Sequence, residues 1–413
     1  MSFEQGLSGL SVASKNLSVI GNNVANSNTV GFKSATAHFA DVYASAGNLV
    51  GENNPGIGAR VTTVAQSFTQ GSLTSTSNPL DMAISGSGFF RLSDGGAVTF
   101  SRNGQFHLDK DGHVVNDNKA RLTGYPAGPN GILPTASPTE LQISLADVAP
   151  KSTAQVEATI GLDSRATPLA VASFDPTNSA TYQYATSTSV YDSLGNAHAL
   201  SMYFVPIGPT AAGENQWKVF GTNDGASING GSPLGTLTFG ANGLLDPAQN
   251  TLPFTVSTAV GGGAVTPLAL TLDFTGSTQF GTQSGVNQLT QDGFTSGRLA
   301  SYSVSSDGII LGRYTNGQIH PLAQIALGNF TSPEGLAPLG NNVWAETSKS
   351  GPPLIGAPGT ASLGSLQSGT VEESNVDLTA ELVNMITAQR AYQANAQTIK
   401  TEDQLLQTLV SLR

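Results

Sequence analysis

Residues 374–412 read SNVDLTAELVNMITAQRAYQANAQTIKTEDQLLQTLVSL, and their spacing decides how the rest of the chain is read. From Leu378, the positions three and four apart are Leu382, Met385, Gln389, Tyr392, Ala396, Ile399, Asp403, Leu406 and Val410, and eight of these ten are apolar. That period is the a/d seam of a helix packed lengthwise on another. Leu405, Leu409 and Leu412 widen the stripe near its end. Ser374 and Asp377 stand at capping-box spacing, with the carboxylate favoured by the helix dipole. A helix from Asn375 to Leu412 would run about 55 Å at 1.5 Å per residue. Such a helix cannot bury its stripe on itself.

The amino end repeats the spacing at Phe3, Leu7, Leu10, Ser14, Leu17, Gly21 and Val24, with Ser2 and Gln5 again placed as a cap pair. Small residues at Ser14 and Gly21 would let a partner helix come close. The expectation is a helix over 1–25 and another over 371–413. Periodicity alone leaves two arrangements open: the helices close one molecule by meeting each other, or they meet other subunits.

Between the ends, strand signals are dense. Leu268, Leu270, Leu272 and Phe274 alternate with polar or small residues, and Val190–Tyr191 and Leu200–Val205 flank the turn Asp192-Ser193-Leu194-Gly195-Asn196. Asp-Gly pairs at 94–95, 111–112, 224–225, 292–293 and 307–308 punctuate the region as turns. The expected fold is therefore mostly β: two nested β-rich domains flanked by coiled-coil-like N- and C-terminal α-helices. In order, the reading is a connector over 26–70, a first β domain over 71–149, an inserted β domain over 150–291, the rest of the first domain over 292–350, and a return connector over 351–370. The Gly/Ala/Asn-rich Ala44–Gly58 segment marks the first connector as the expected site of flexibility, and Pro352, Pro353 and Pro358 mark the second.

Composition removes several functions. The 413 residues include no cysteine, so disulfides, thiolate metal sites and thiol nucleophiles are excluded. The net charge is −11, only 11% of residues are charged, and Lys and Arg form no cluster, which argues against nucleic acid and anionic membranes as partners. No stretch reaches the roughly 18–20 apolar residues of a membrane helix. The opening MSFEQGLSGL has no basic segment followed by an apolar core, so an exported form would leave without a cleaved signal.

The five histidines, His38, His107, His113, His198 and His320, form no metal motif. Asp109-Lys110-Asp111-Gly112 reads as a hairpin turn rather than a calcium loop. Gly86-Ser87-Gly88 lacks the third glycine of a dinucleotide fingerprint, because Arg91 stands there, and reads as a tight turn before Phe89-Phe90. Glu372-Glu373, just before the long helix, read as dipole partners. Nothing assembles a nucleophile, base and orienter, so the expectation is a non-enzymatic protein with no catalytic residues, cofactor or metal.

Asn22-Asn23-Val24-Ala25-Asn26-Ser27-Asn28-Thr29-Val30-Gly31-Phe32-Lys33 is a helix end running into an Asn-rich turn, where Asn tolerates the left-handed region and Gly31 allows a sharp exit. This run, and especially Asn22, Asn23, Asn26, Thr29, Gly31, Phe32 and Lys33, resembles the amino-terminal signature of the bacterial flagellar rod and hook protein family. Ser374–Leu378 and Glu381–Asn395 resemble that family's terminal helix. Leu80–Phe90, Ser101–Val115 with Arg102-Asn103-Gly104-Gln105-Phe106, Gln291–Leu299 and Asp307–Gln318 resemble its first β domain, the last two its hook members in particular. The region from about Pro150 to Gln291 resembles it only weakly, but its length sets the chain apart from the shorter rod members.

The resemblance implies a structural subunit of the flagellar hook that polymerises into a flexible curved tube, joins rod to filament and transmits motor torque. The implied partners are other copies of the chain, the rod, hook cap and hook–filament junction proteins, and the flagellar type III export apparatus. In such a polymer the terminal helices line the inner tube. Phe3, Leu7, Leu10, Leu17, Val24, Leu378, Leu382, Met385, Tyr392, Ile399, Leu406 and Val410 would be buried between subunits. Before assembly the helices would lack a partner and be largely disordered. A distal rod subunit is the alternative within the family, and a secreted β-rich adhesin or enzyme the alternative outside it.

Overall fold

The computed structural model describes residues 2–42, 56, 58–128, 131–132, 137–169, 174–210 and 213–411. Strands take up 43% of the chain and helices 17%. The two long helices stand at the ends, α1 over Ser2–Ala25 and α2 over Leu378–Ser411. The chain divides into two compact units: one comprises 1–145, 301–313 and 319–413, the other 146–300 and 314–318. Most of the segment read as a flexible first connector, 44–58, lies outside the described residues.

In the first unit, β1 (Ala35–Val42) and β2 (Gly58–Gln66) pair antiparallel with a bulge between His38 and Phe39. Six strands follow one another in hydrogen-bonded order across a larger sheet: Ile319–Ile325, Arg121–Gly128, Phe89–Asp94, Ala97–Ser101, Val343–Ala345 and Ala337–Gly340. Phe89, Phe100, Phe330, Leu336 and Trp344 form a buried cluster against that sheet, with Phe68 packed on it. The rings meet edge to face, Phe100 and Phe330 at 4.7 Å between centroids and Phe68 and Trp344 at 5.4 Å, a geometry favoured by the ring quadrupole. Trp344 also donates its indole N–H to Gln66 Oε1 at 2.6 Å, which anchors the end of β2 to this core.

Residues 351–370, read as connector, carry the strands Leu354–Gly356 and Ser365–Ser368. The first pairs with Leu327–Asn329 and the second with Met82–Ser85. The Asp109-Lys110-Asp111-Gly112 segment is a turn: Asp109 Oδ1 accepts the N–H of Asp111 and of His113, joining the short strands His107–Leu108 and Val114–Val115.

The second unit holds two five-stranded sheets. One contains Phe254–Thr258, Leu268–Asp273, Gln155–Asp163, Thr278–Phe280 and Gly285–Gln291; the other contains Tyr184–Tyr191, Ala197–Pro209, Asn215–Asn223, Ala226–Ser227 and Gly235–Phe239. The alternation read at Leu268, Leu270, Leu272 and Phe274 puts all four into the buried core, with Phe204, Trp217 and Phe239. In the turn at 192–196, Asp192 Oδ1 accepts the N–H of Leu194 and of Asn196. Burial raises the Asp192 pKa, but the bonds from Asn196, His198 and Leu194 outweigh that effect and hold it at about 2.

Candidate subunit interface

Helix α2 begins at Leu378 because Asp377 caps it: Asp377 Oδ1 accepts the N–H of Thr379 at 2.9 Å and of Ala380 at 3.1 Å. Ser374, read as the cap, instead accepts the N–H of Val376. At the other end Gln5, read as a cap partner of Ser2, turns its amide to the carbonyl of Gly56.

The helices are formed and packed on each other, antiparallel, within a single chain, rather than lacking a partner before assembly. Asn23 donates to Glu381 Oε1 at 3.2 Å near one end of the contact. Near the other, a Cβ on Gly9 would lie 2.7 Å from Asn395 Oδ1, and one on Gly6 3.1 Å from Ile399 Cγ1. The stripe of α1 facing α2 is thus Gly6, Gly9, Ala13, Asn16, Ile20 and Asn23, one position off the seam read from the sequence. Ala13, Val19, Ile20 and Ala388 are buried there. Small side chains bring the backbones together, and Phe3 and Leu7 are rotated outward.

That rotation leaves a greasy edge. Phe3 and Leu7 are exposed, and Leu10, Leu17 and Val24 only half-buried. On α2, Leu378, Leu382, Tyr392, Leu406 and Val410 are exposed, and Met385 and Ile399 half-buried. Leu382 is 45% exposed, Val383 59%, Ile386 52%, Leu406 54% and Val410 77%. Followed at equal rise along both helices, the register sets the start of α1 beside about residue 403. The last two turns of α2, with Leu405, Leu406 and Val410, run on past it.

Below the helix pair, the Asn-rich motif forms a latch. Asn23 is buried and grips the start of β1 with both ends of its amide: Nδ2 donates to Ala35 O at 2.8 Å and Oδ1 accepts Ala35 N–H at 2.9 Å. Asn26 donates to Asn22 O, and Thr29 to Asn26 Oδ1, closing the turn; Asn22 itself is exposed. Gly31, at φ +71°, donates to Glu372 O at 2.8 Å, and a Cβ there would lie 2.5 Å from Asn103 N. No other residue fits that site without backbone movement. Phe32 and Lys33 are buried.

Lys33 is one corner of an enclosed charge triad. Its Nζ donates to Glu372 Oε1 at 2.6 Å and to Thr69 O at 2.7 Å. Arg102 Nη1 donates to Glu372 Oε2 at 3.1 Å, and Arg102 Nη2 to Gly86 O at 2.8 Å. Gly71 N–H donates to Glu372 Oε1 at 2.9 Å. The Lys33 and Glu372 side chains are both 0% exposed. Burial pushes the Lys33 pKa below its ordinary value while Glu372 pulls it back up, and Arg102 is lowered by burial against the same carboxylate. Glu372 is therefore a structural counterion rather than a dipole partner of α2, and its neighbour Glu373 accepts the hydroxyl of Thr74.

Asn375 completes the arrangement, donating to Ser67 O at 2.9 Å and accepting Ser34 N–H at 2.7 Å. Sequence reasoning missed Glu372, Arg102 and Asn375 as partners of the motif. Arg102 and Asn375 stand inside segments resembling the family, and Glu372 two residues before one, which is the only signal the sequence carried.

Four family models match the chain: the flagellar basal body rod protein over 3–33, the flagellar hook protein FlgE/F/G D1 domain over 83–169, the flagellar basal body protein FlaE D2 domain over 161–294, and the flagellar basal body rod FlgEFG protein C-terminal over 367–412. The flagellar hook protein FlgE of Escherichia coli (strain K12) is 45% identical, with all of both chains covered. That of Salmonella typhimurium is 44% identical over all of both chains. That of Borreliella burgdorferi is 36% identical, over 100% of this chain and 99% of the relative. Among solved structures, the Helicobacter pylori flagellar hook protein FlgE2 superposes with a TM-score of 0.54 at 14% identity, covering 73% of this chain and 99% of that one, a likeness of fold. With matched segments running from the Asn-rich motif to α2 and full-length relatives well above 30% identity, the chain belongs to the flagellar hook protein family.

Proposed function

We propose that this chain is a structural subunit of the bacterial flagellar hook, polymerising into a flexible curved tube that joins rod to filament and transmits motor torque. One observation carries the mechanical part: a helix pair, already closed on itself by small residues, still exposes Leu382, Val383, Ile386, Leu405, Leu406 and Val410. Apolar surface on that scale is costly in water at about 25 cal/mol per Å². Neighbouring copies laid alongside would cover it. Where such a contact runs head to tail and its rotation does not close, it generates an open helical assembly.

The family is structural rather than enzymatic, and its location is the flagellum. The rod, the hook cap, the hook–filament junction proteins and the type III export apparatus are the proposed partners at the ends of the polymer and on the way to it. The triad and the Asn latches support a division of labour. They tie the start of β1, the approach to α2 and the first β unit into one body, so load arriving on the helices reaches that unit through hydrogen-bonded links. Electron microscopy of purified protein under polymerising conditions tests this reading. Curved tubes are expected; straight short rods would favour a rod subunit, and persistent monomers would refute self-assembly.

A further inference from the structure

A cavity of about 270 Å³ opens between α1, α2 and β1, lined among others by Asn16, Ile20, Ala37, Glu381, Asn384 and Ala388. Glu381 is its one charged lining residue. Its Oε1 accepts from Asn23, but its Oε2 is enclosed and, among the described residues, has no hydrogen-bond partner. An enclosed carboxylate oxygen without a donor is costly, and no described residue of the cavity wall bonds to it.

The helices also carry a matching group. Arg390 is exposed on α2 and, among the described residues, makes no ion pair. Nine residues separate it from Glu381, about two and a half turns and 13.5 Å along the helix. The two groups therefore point to opposite sides of α2 and cannot meet within one chain. A copy laid alongside presents its Arg390 side to the Glu381 side of the next, and the same contact is then available again on the far face.

We propose that the Glu381 cavity is a receptor for the Arg390 guanidinium of a neighbouring copy, an ionic pin that sets the register of the greasy helix edges. The proposal rests on the polymer reading above. A guanidinium offers five donors in a planar fork. Two would serve the carboxylate, and the others the amide oxygens of Asn16 and Asn384 on the cavity wall. Apolar edges alone tolerate sliding; one enclosed charge pair does not, because a slipped register strands Glu381 without its cation.

The test is a charge exchange read as critical concentration for polymerisation of the full chain, with each variant first checked for unchanged monomer circular dichroism and melting. Arg390→Glu, a surface change, is expected to raise the critical concentration about tenfold or more, equivalent to ~1.4 kcal/mol per contact. Glu381→Arg is expected to do the same, and the double exchange to recover most of the loss. Arg390→Glu polymerising like the wild type would overturn the pin, as would a double variant no better than either single one. Loss with Glu381→Gln and none with Arg390→Glu would assign the cavity to a different cation and overturn it too. A wild-type chain that never polymerises would instead defeat the hook reading itself, so the two failures are distinguishable.

Discussion

Replacing Glu372 with Gln would leave two cations buried together without a counterion. In the native structure one carboxylate, 0% exposed, receives Lys33 at 2.6 Å, Arg102 at 3.1 Å and the Gly71 amide. Removing one partner of a buried pair costs about 3–5 kcal/mol, because the survivor remains desolvated. Here there are two survivors, so the upper end applies, against a total stability of roughly 5–15 kcal/mol for a domain.

The chain has two tryptophans, Trp217 in the second unit and Trp344 in the first, so each unit carries its own fluorescent reporter. In a Trp217→Phe background, denaturant unfolding followed at Trp344 should shift by at least 3 kcal/mol on Glu372→Gln. Adding Lys33→Met should recover part of it, since one of the two stranded charges is gone. The penalty should also shrink as pH rises. The Lys33 pKa is already lowered in the folded state, so the unfolded chain binds the proton more readily and raising the pH favours folding. A shift below about 1 kcal/mol, or one indifferent to Lys33→Met, would refute the triad as the tie between the chain ends.

Further outcomes follow from the same contacts. Asn23→Ala removes both hydrogen bonds to Ala35 and should cost about 2 kcal/mol, with the Ala35 amide losing protection in hydrogen exchange. Gly31→Ala meets Asn103 N at 2.5 Å in a left-handed conformation and should destabilise the first unit by more than 1 kcal/mol in the Trp344 assay. His198 lies between Asp224 (2.7 Å) and Asp192 (3.3 Å), and its pKa is raised chiefly by the bond to Asp224. Its contribution to the second unit should be fully present below about pH 6.5 and fade as pH rises through its folded value, and His198→Gln should flatten that dependence in the Trp217 signal.

The helices were legible because apolar residues hold eight of the ten three-and-four positions from Leu378 to Val410, and the core of the second unit because Leu268, Leu270, Leu272 and Phe274 alternate cleanly. Which face of α1 meets α2 was not legible. A count of apolar positions passes over Gly6 and Gly9, although their lack of side chain is what allows the helices to approach. The triad was hidden for a different reason: Lys33 and Arg102 lie 339 and 270 residues from Glu372, and each alone looks like a solvated charge. The strands at 354–356 and 365–368 are three and four residues long amid Pro and Gly, too short to show a period.

The absence of cysteine allows the central claim to be tested at single positions. Leu382→Cys, Leu406→Cys and Val410→Cys should each react freely with a thiol reagent in the monomer, where these side chains are 45%, 54% and 77% exposed. In the polymer each should become at least tenfold slower to react. Equal reactivity at all three positions in monomer and polymer would mean that neighbouring copies leave the helix edge uncovered, and would contradict the account.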